Sequence, residues 1–522
     1  MAWPASGAAC MPEQQESTAA DAKAERRKQI TAEACKREFV VSKEALEHLQ
    51  ERDDWKTILE KAFAAAPSVL ISHALVDEII DSENAAHKAK QLTVVQRTDF
   101  KPQAREVESR AVVRTDLDVT GKSKCTGRVE DFVEYFRDRL RRTKNILRGR
   151  VSENGVTSIS SARNFAQGRA CRIIGMVLEK RETKNGHLII DLEDEEDAVP
   201  VFVGKDSPIK AKAEEVILDE VIAVDGRMSH SLFIASDIVW PEMPLRKRKL
   251  VEEEVSLAMI SDTHVGSKLF MQESFQRFLE FLNGNCSREE QEIAGKIKYV
   301  TIAGDCVDGI GVYPSQEKEL ATKDIYTQYE IFCEFLKRIP EYVEVIVTPG
   351  NHDAVRLAEP QPRLLPEFVD SLKGYKNIHF ASNPAWAELH GLKVLLYHGA
   401  SQYSFINSIP RLRNGFENPE HVGAEMLKRR LLNPVYGEVA IAPEPRDYLV
   451  VEEVPDIFHF GDVHKNGYTD YNGTLVVNSG CWQSRTDYQV KLGHHPTPCQ
   501  LPVYNMKTAE LQVLNFLGGE TK

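Results

Sequence analysis

Five short polar motifs in the second half of the chain contain side chains that suit a metal site. They are Asp262-Thr263-His264, Gly304-Asp305-Cys306-Val307-Asp308, Gly350-Asn351-His352-Asp353, His398-Gly399 and Gly461-Asp462-Val463-His464. Carboxylate, imidazole and amide oxygens together favour a borderline divalent ion such as Mn²⁺, Fe²⁺ or Zn²⁺. Two such ions roughly 3.5–4 Å apart, joined by a shared carboxylate, can activate water and neutralise a phosphate under attack. The motifs therefore predict a two-metal site.

The elements that must position these motifs are strands. Each motif follows an apolar run with strand character, at residues 256–260, 298–303, 342–348, 393–397 and 455–460. Apolar residues between Ile325 and Ile339 recur at helical spacing. Because the carboxyl ends of such strands lie at one edge of an α/β sheet, we expect the five motifs to meet there.

Length and composition limit the class of protein. With 522 residues the chain exceeds one ordinary domain, and its net charge of −13 argues against coating nucleic acid by bulk charge. Local contact with a strand is still compatible with that charge. Nine cysteines without a Cys-x-x-Cys pair predict neither a zinc ribbon nor a disulfide framework, which favours the cytoplasm. No apolar run reaches the roughly 18 residues of a spanning helix, so no membrane partner is expected.

The order of composition along the chain predicts five regions. These are a disordered tail at 1–40, a helical domain at 41–82, a linker at 83–128, a helix with a barrel at 129–245, and an α/β domain at 250–522. The helical domain has two open interpretations, a docking module or a plain bundle. Five short β-rich runs between Phe165 and Pro241 fit a barrel of the oligonucleotide/oligosaccharide-binding type. The acidic stretch from Asp191 to Asp197 favours a scaffold or subunit contact over a DNA-binding surface.

The helix predicted from Val129 has an apolar side and several basic residues. The basic residues are Arg137, Arg139, Arg141, Arg142, Lys144, Arg148 and Arg150. A solvated helix face is the favoured interpretation, and a strand-binding or partner-binding surface is the alternative.

The five motifs, taken in order, resemble the calcineurin-like metallophosphoesterase family, whose pattern is D-x-H, G-D-x-x-D, G-N-H-D/E, H and G-H-x-H. The resemblance implies a β-sandwich flanked by helices. It also implies ligand roles for seven residues: Asp262, His264 and His464 at a first metal, Asp305 as the bridge, and Asn351, His398 and Asp462 at a second metal. His352 would be the unliganded acid that protonates the leaving oxygen, oriented by Asp353.

The last motif departs from the family at one position, because Asp462 stands where the family has His. A carboxylate can still bind Mn²⁺ or Mg²⁺, so Asp462 is retained as a predicted ligand. The alternative is that Asp462 accepts a hydrogen bond and orients His464.

The sequence from Val454 to Pro498, together with the order of helical, barrel and α/β regions, resembles the small subunits of archaeal family-D DNA polymerases. That resemblance implies a proofreading 3′–5′ exonuclease with two divalent ions, Mn²⁺ being favoured over Mg²⁺ or Fe²⁺. The implied partners are a large catalytic polymerase subunit, in a heterodimer, and DNA 3′ ends, single-stranded or frayed.

Two other classes of function stay open. One is a catalytically inactive architectural subunit, and the other is a phosphatase for small substrates.

A nuclease also needs side chains that guide a strand to the metals. The candidates near the motifs are Tyr403, Phe405, Arg411, Arg413, Trp482 and Arg485.

Overall fold

The computed structural model describes residues 13–91, 94–150, 155–165 and 168–518. The chain forms two compact units. One contains the described residues up to 91 together with Ala321–Thr327, and the other contains residues 94–320 and 328–518.

The first unit is helical. Its elements are α1 (Glu13–Lys36), β1 (Val40–Val41), α2 (Lys43–Gln50), α3 (Trp55–Ala65), β2 (Leu70–Ile71) and α4 (His73–Gln91). The Ser42 side chain caps α2 by accepting a hydrogen bond from the backbone N–H of Ala45, as predicted. The predicted apolar face of α3 is buried, including Trp55, Ile58 and Phe63.

The predicted disordered tail is wrong from Glu13 onward, and residues 1–12 lie outside the described part. α1 runs through this segment, and its Ile30 and Ala34 are buried in the core of the helical unit. The segment is rich in Ala and charged residues, and only a few apolar residues pack against the neighbouring helices. The sequence therefore lacks the apolar periodicity that would have predicted a helix.

Parts of the predicted linker at 83–128 have regular structure. α4 continues to Gln91, and the short strand β3 (Ala111–Val113) pairs with a strand of the α/β domain. The Asp118 carboxylate accepts a hydrogen bond from the backbone N–H of Ser382 in that domain. A three-residue strand is too short to show a recognisable alternation of apolar and polar residues. The polar residues around it therefore dominated the sequence pattern.

α5 (Val129–Arg148) follows, and then the barrel. The barrel region contains β4 (Val156–Thr157), α6 (Ile159–Arg163), β5 (Ala170–Glu182), β6 (Leu188–Glu193), β7 (Ala198–Val203), α7 (Lys210–Glu214), β8 (Val221–Ser229) and β9 (Leu232–Val239). Five strands are hydrogen-bonded in the order β5-β6-β7-β9-β8, and β8 pairs with β5 to close the ring. Alternate residues of β6 and β7 point into a core of Val, Ile and Leu side chains, which confirms the predicted five-stranded barrel.

The basic residues of α5 mostly hold the second unit together. The Arg139 side chain is completely buried, and its Nε lies 2.7 Å from Asp447 Oδ2. Its guanidinium also donates to the carbonyl oxygens of Asn433 and Pro434. Arg142 contacts Glu452 and the carbonyl oxygen of Asp447. The predicted solvated face is therefore wrong for these two residues, because their carboxylate partners, Asp447 and Glu452, lie about 300 positions away in the sequence.

We expect Arg139→Ala to lower the free energy of unfolding by about 3–5 kcal/mol, because it leaves the Asp447 carboxylate buried without its cation. Arg141→Ala is the matched control, since the Arg141 side chain is 70% exposed beside Asp138 and should contribute less than about 1 kcal/mol. Urea unfolding of both variants measures the difference. Equal midpoints would show that the buried pair does not stabilise the fold.

The α/β domain completes the chain. Its strands are β10 (Ser256–Ile260), β11 (Ile297–Ala303), β12 (Glu344–Thr348), β13 (Ile378–Phe380), β14 (Ala385–Leu389), β15 (Leu392–Tyr397), β16 (Ile457–Phe460), β17 (Asn466–Tyr471), β18 (Thr474–Ser479), β19 (Gln500–Asn505) and β20 (Glu510–Asn515). Its helices are α8 (Gln272–Leu282), α9 (Arg288–Ala294), α10 (Ile325–Leu336), α11 (Pro366–Val369), α12 (Gln402–Ser408), α13 (Pro419–Arg429) and α14 (Asp487–Leu492). Short 3₁₀ turns lie at Gln103–Arg105, Gln316–Lys318, Asp370–Leu372 and Pro410–Leu412.

Two six-stranded sheets form the predicted sandwich. One has the order β13-β12-β11-β10-β19-β20 and the other β17-β18-β16-β15-β14-β3. Side chains from both sheets, such as Met259 and Leu396, share one buried core between the layers. α12 and α13 cover the outer face of the second sheet through residues such as Phe405 and Met426. Across the described ranges, no helix is both long enough and apolar enough to cross a bilayer.

Candidate metal centre

The five motifs converge because they follow parallel strands in both sheets. β10, β11 and β12 are parallel neighbours in one sheet, and β15 and β16 are parallel neighbours in the other. The seven predicted ligands and His352 occupy the loops after these strands, and the structure brings them together at one edge of the sandwich.

A first cluster contains Asp262, His264 and His464, all buried. The Nε2 atoms of the two imidazoles are 3.0 Å apart, and Nε2 of His464 lies 3.5 Å from Asp262 Oδ1. The Nδ1 atom of His264 lies 3.0 Å from the Asp308 carboxylate, to which Nδ1–H donates. That hydrogen bond leaves the lone pair of His264 Nε2 directed into the cluster.

A second cluster contains Asn351, His398 and Asp462, beside Asp305. The Nε2 atom of His398 lies 2.8 Å from Asn351 Oδ1, 3.3 Å from Asp305 Oδ1 and 3.6 Å from Asp462 Oδ1. Nδ1–H of His398 donates to the carbonyl oxygen of Ala303 at 2.9 Å, so Nε2 is free to act as a ligand.

Asp305 lies between the two clusters. Its Oδ1 faces His398, and its Oδ2 lies 3.6 Å from Nε2 of His264. Burial alone would raise the pKa of Asp305, but the surrounding imidazoles, His398 first, lower it far below its usual value. One ionised carboxylate thus contacts both groups, which is the position that the predicted bridging ligand requires.

Asp462 provides a test of whether these residues fit a cation. Its Oδ2 atom is buried and accepts no hydrogen bond from any described residue. Burial raises the pKa of this carboxyl to about 6. A buried oxygen without a donor is compensated by a metal ion, so the donor set fits divalent ions.

The geometry also bears on the alternative role of Asp462. The residue that contacts Nδ1 of His464 is Gln489, whose side-chain amide lies at 2.8 Å. Asp462 instead approaches His398 of the second cluster. This position favours Asp462 as a ligand over the alternative in which it orients His464.

The backbone of the site is strained at five of the seven predicted ligands. Asp262, His264, Asp305, Asp462 and His464 have φ angles between 47° and 73°. Residues other than glycine rarely adopt this left-handed conformation, and each instance costs on the order of 1 kcal/mol. Such strain clusters at functional sites, where the surrounding fold holds it in place.

Two glycines of the motifs are explained by close approach. A Cβ atom on Gly350 would lie 2.2 Å from Asp305 Oδ1, and one on Gly461 would lie 2.3 Å from Asp262 Oδ2. No side chain fits at either position without displacing a predicted ligand. The two glycines are therefore needed for the geometry of the site, although they supply no ligand atom.

His352 lines the open cleft above the clusters. Nδ1–H of its ring donates to the carbonyl oxygen of Asp308 at 2.8 Å, and its Nε2 lies 3.9 Å from Asp305 Oδ2. The cleft has a cavity volume of about 310 Å³ and contains side chains of both clusters. This position is compatible with the predicted role of His352 as a proton donor.

The predicted orienting role of Asp353 is wrong. Its carboxylate accepts hydrogen bonds from the backbone N–H groups of Gly350 and Cys306 and from the Tyr329 hydroxyl. Asp353 therefore fixes the loop that carries Asn351 and His352, and the Asp308 carbonyl orients the His352 ring. Sequence adjacency suggested the wrong partner because the side chains at 352 and 353 point in different directions.

Asp308 is the important residue that the sequence prediction left without a role. Its carboxylate contacts His264 Nδ1 and Gln483 Nε2 at 3.0 Å each, while its carbonyl contacts His352. The second Asp of the Gly-Asp-x-x-Asp motif was the available signal. Gln483 and Gln489 had no comparable signal, because they follow the last motif by 19 and 25 residues.

Five of the six predicted strand-guiding residues do not line the cleft. Phe405 and Trp482 are completely buried, and Arg411 forms ion pairs with Glu215 and Glu425. Arg413 and Arg485 are exposed but do not line the cleft, whereas Tyr403 does. The structure adds Tyr313 and Tyr488, whose stacked rings lie at the rim with centroids 6.0 Å apart.

A buried carboxylate beside the site has an unusual titration. Burial raises the pKa of Glu359 to about 7, although the Tyr397 hydroxyl and the Asn433 amide contact it. The unfolded chain releases this proton near the ordinary value of about 4.5. The contribution of Glu359 to stability is therefore present below pH 4.5 and is lost as the pH rises through 7.

We expect Glu359→Gln to raise the free energy of unfolding by about 3 kcal/mol at pH 8 and to change it little at pH 4.5, because the variant removes the cost of ionising a buried acid. Urea unfolding at the two pH values measures this difference. Glu367→Gln, at an exposed position of α11, is the control and should show no such pH dependence. A constant difference between pH 4.5 and 8 would contradict the assignment.

Comparisons with known proteins identify the family. The calcineurin-like phosphoesterase model matches residues 255–465, a range that contains all five motifs. The DNA polymerase II small subunit of Methanocaldococcus jannaschii is 41% identical over 408 residues, which are 77% of this chain and 68% of that protein. The corresponding subunit of Archaeoglobus fulgidus is 41% identical over 425 residues, covering 80% and 84%. The chain belongs to the DNA polymerase II small-subunit family.

Membership of the small-subunit family covers more than the phosphoesterase domain. The family member from Methanothermobacter thermautotrophicus is 35% identical over 482 residues, which are 91% of this chain and 97% of that protein. A phosphoesterase domain of this family implies divalent metal ions, and the two clusters are the place where the described side chains could hold them.

Proposed function

We propose that this chain is the proofreading subunit of a heterodimeric replicative DNA polymerase and acts as a two-metal 3′–5′ exonuclease. Its substrates would be single-stranded or frayed DNA ends. The observation that carries the proposal is the placement of Asp305 between two ligand clusters at the floor of an open cleft.

The proposed ligands divide as the clusters do. Asp262, His264 and His464 would hold one ion, Asn351, His398 and Asp462 the other, and Asp305 both. When bound, the ions supply an activated water and neutralise charge on the phosphate. Mn²⁺ is the favoured ion, with Mg²⁺ or Fe²⁺ as alternatives, because carboxylates and an amide oxygen accompany the imidazoles.

The chain itself supplies the proton for the leaving group. His352 keeps its Nδ1 proton because the Asp308 carbonyl accepts it, so the proton that moves is the one on Nε2. Nε2 faces the cleft beside Asp305, where the leaving 3′ oxygen of the shortened strand would lie. Transfer from Nε2 to that oxygen avoids release of an alkoxide.

The rim of the cleft suits a nucleotide at the end of a strand. Tyr488 is about half exposed and stacks against Tyr313, and Tyr403 lines the same cavity. Aromatic faces stack on any base, so the site needs no base readout. This indifference to sequence is what removal of a misincorporated nucleotide demands.

The partner follows from the family. The relatives are named as small subunits, so we propose a large catalytic polymerase subunit as the partner in the heterodimer. The helical unit and the barrel are chain beyond what phosphodiester cleavage needs, and we propose one of them as the contact. Retained co-purification after deletion of residues 13–91, and again after charge substitutions on the barrel surface, would refute this assignment.

The deciding experiment incubates the purified chain with Mn²⁺ and a 5′-labelled single strand, with and without the large subunit. We expect a ladder of products shortened from the 3′ end, and no cleavage in chelator. A strand with a blocked 3′ end is the matched control for polarity and should stay intact.

The competing functions give different results in the same assay. Absence of cleavage under both conditions would establish an architectural subunit. Faster turnover of p-nitrophenyl phosphate than of DNA ends would establish a phosphatase for small substrates.

A further inference from the structure

A second group of metal-binding side chains lies in the helical unit and takes no part in the proposed nuclease reaction. It consists of His48 on α2 and of His73 and Asp77 on α4. One ligand atom from each residue lies within 4.8 Å of the others. All three are partly exposed, with side-chain exposures between 40% and 50%, so an ion could reach them from solvent.

The spacing of these residues matches a site built between two helices. His73 and Asp77 are four residues apart, so both side chains lie on the same face of α4. α2 supplies His48 to that face because Leu46 and Leu49 of α2 and Val76 of α4 belong to one buried core. The apolar packing therefore fixes the distance between the two imidazoles before any ion binds.

Asp77 lies between the two imidazoles, and one of its oxygens has no hydrogen-bond donor in the described part of the chain. Nδ1 of His48 lies 2.6 Å from Asp77 Oδ1, and Nδ1 of His73 lies 2.5 Å from Asp77 Oδ2. Yet Oδ1 of Asp77 is buried and accepts no hydrogen bond from the described residues. The close approach of His48 Nδ1 to this oxygen is therefore not a hydrogen bond with good geometry. Asp462 of the candidate metal centre has a buried oxygen of the same kind.

We propose that the helical unit binds one divalent ion of the zinc class through His48, His73 and Asp77. Two imidazole nitrogens and a carboxylate are a ligand set that Zn²⁺ accepts, with water completing four-coordination. The ion joins α2 to α4 on the solvent side of their shared core. Its role is structural: it stabilises a small helical unit whose apolar core is limited.

The test uses the full chain and Zn²⁺ as the probe. Equilibrium dialysis at micromolar free Zn²⁺, followed by metal analysis, gives the number of bound ions. We expect His48→Gln and His73→Gln each to lose about one bound equivalent relative to the wild type. His87→Gln is the matched control, because His87 lies on α4 outside the group and should leave the metal content unchanged.

A local readout separates this ion from those of the phosphoesterase domain. Hydrogen exchange of peptides from α2 and α4 should slow when Zn²⁺ replaces chelator in the wild type, and this protection should be absent in Asp77→Asn. The wild-type measurement does not depend on whether a variant folds. Unchanged exchange in α2 and α4, or equal Zn²⁺ content in the wild type and both histidine variants, would overturn the proposal.

Discussion

Asp305→Asn is expected to lower the rate of DNA-end hydrolysis by more than about 10³-fold, the largest effect of any single substitution in the chain. The Asp305 carboxylate contacts His264 of one cluster and His398 of the other. Asparagine is nearly the same size but carries no charge and offers only one oxygen. The substitution therefore removes the shared ligand while it leaves the packing intact.

Metal analysis distinguishes this explanation from simple unfolding. Asp305→Asn should retain less than the full complement of Mn²⁺ while its thermal transition stays cooperative. Asp370→Asn is the control, because Asp370 is an exposed carboxylate of the same domain, and it should keep full activity and metal content. If Asp305→Asn keeps nearly wild-type activity, Asp305 is not a bridging ligand and the two-metal proposal is contradicted.

His352→Ala is expected to reduce kcat by about 10²–10⁴-fold without loss of bound metal. His352 belongs to the cleft but lies 3.9 Å from the Asp305 carboxylate, and its ring is held by the Asp308 carbonyl. The variant lacks the proton donor, so cleavage must expel a poor leaving group unaided. Activity on single-stranded DNA and metal content, measured on the same preparation, test the prediction.

A substrate with a better leaving group tests the proton-donor role of His352 more directly. A substrate that releases p-nitrophenolate needs no proton, so His352→Ala should hydrolyse a nucleotide p-nitrophenyl ester nearly as well as the wild type does. Added imidazole should partly restore cleavage of DNA. An equal loss on both substrates would show that His352 binds metal or phosphate instead of donating a proton.

The convergence of the site could be predicted from sequence because its signal is local and repeated. Each strand places its polar loop at the same edge, so five weak motifs together indicated one centre. Asp262, Asp305 and His398 do lie together, as the prediction required. The function of Asp353 could not be predicted, because it depends on the direction in which a loop side chain points.

Long-range partners explain most of what the sequence did not reveal. β3 pairs with β14 across more than 270 positions, and Arg139 meets Asp447 across 308. Nothing in the local composition of 94–128 or of α5 marks these partners. A short polar segment and a basic helix resemble solvated structure until the surface they cover is known.

The loops that gather around Asp305 come from opposite layers of the sandwich. β10 and β11 belong to one sheet, whereas β15 and β16 belong to the other. Ions bound there would connect the two layers. Metal binding and folding of the domain would therefore be thermodynamically linked. The melting temperature of the domain then depends on the concentration of free metal ion as well as on the polypeptide. Depletion of that ion in the cell would lower both the stability of the domain and its activity.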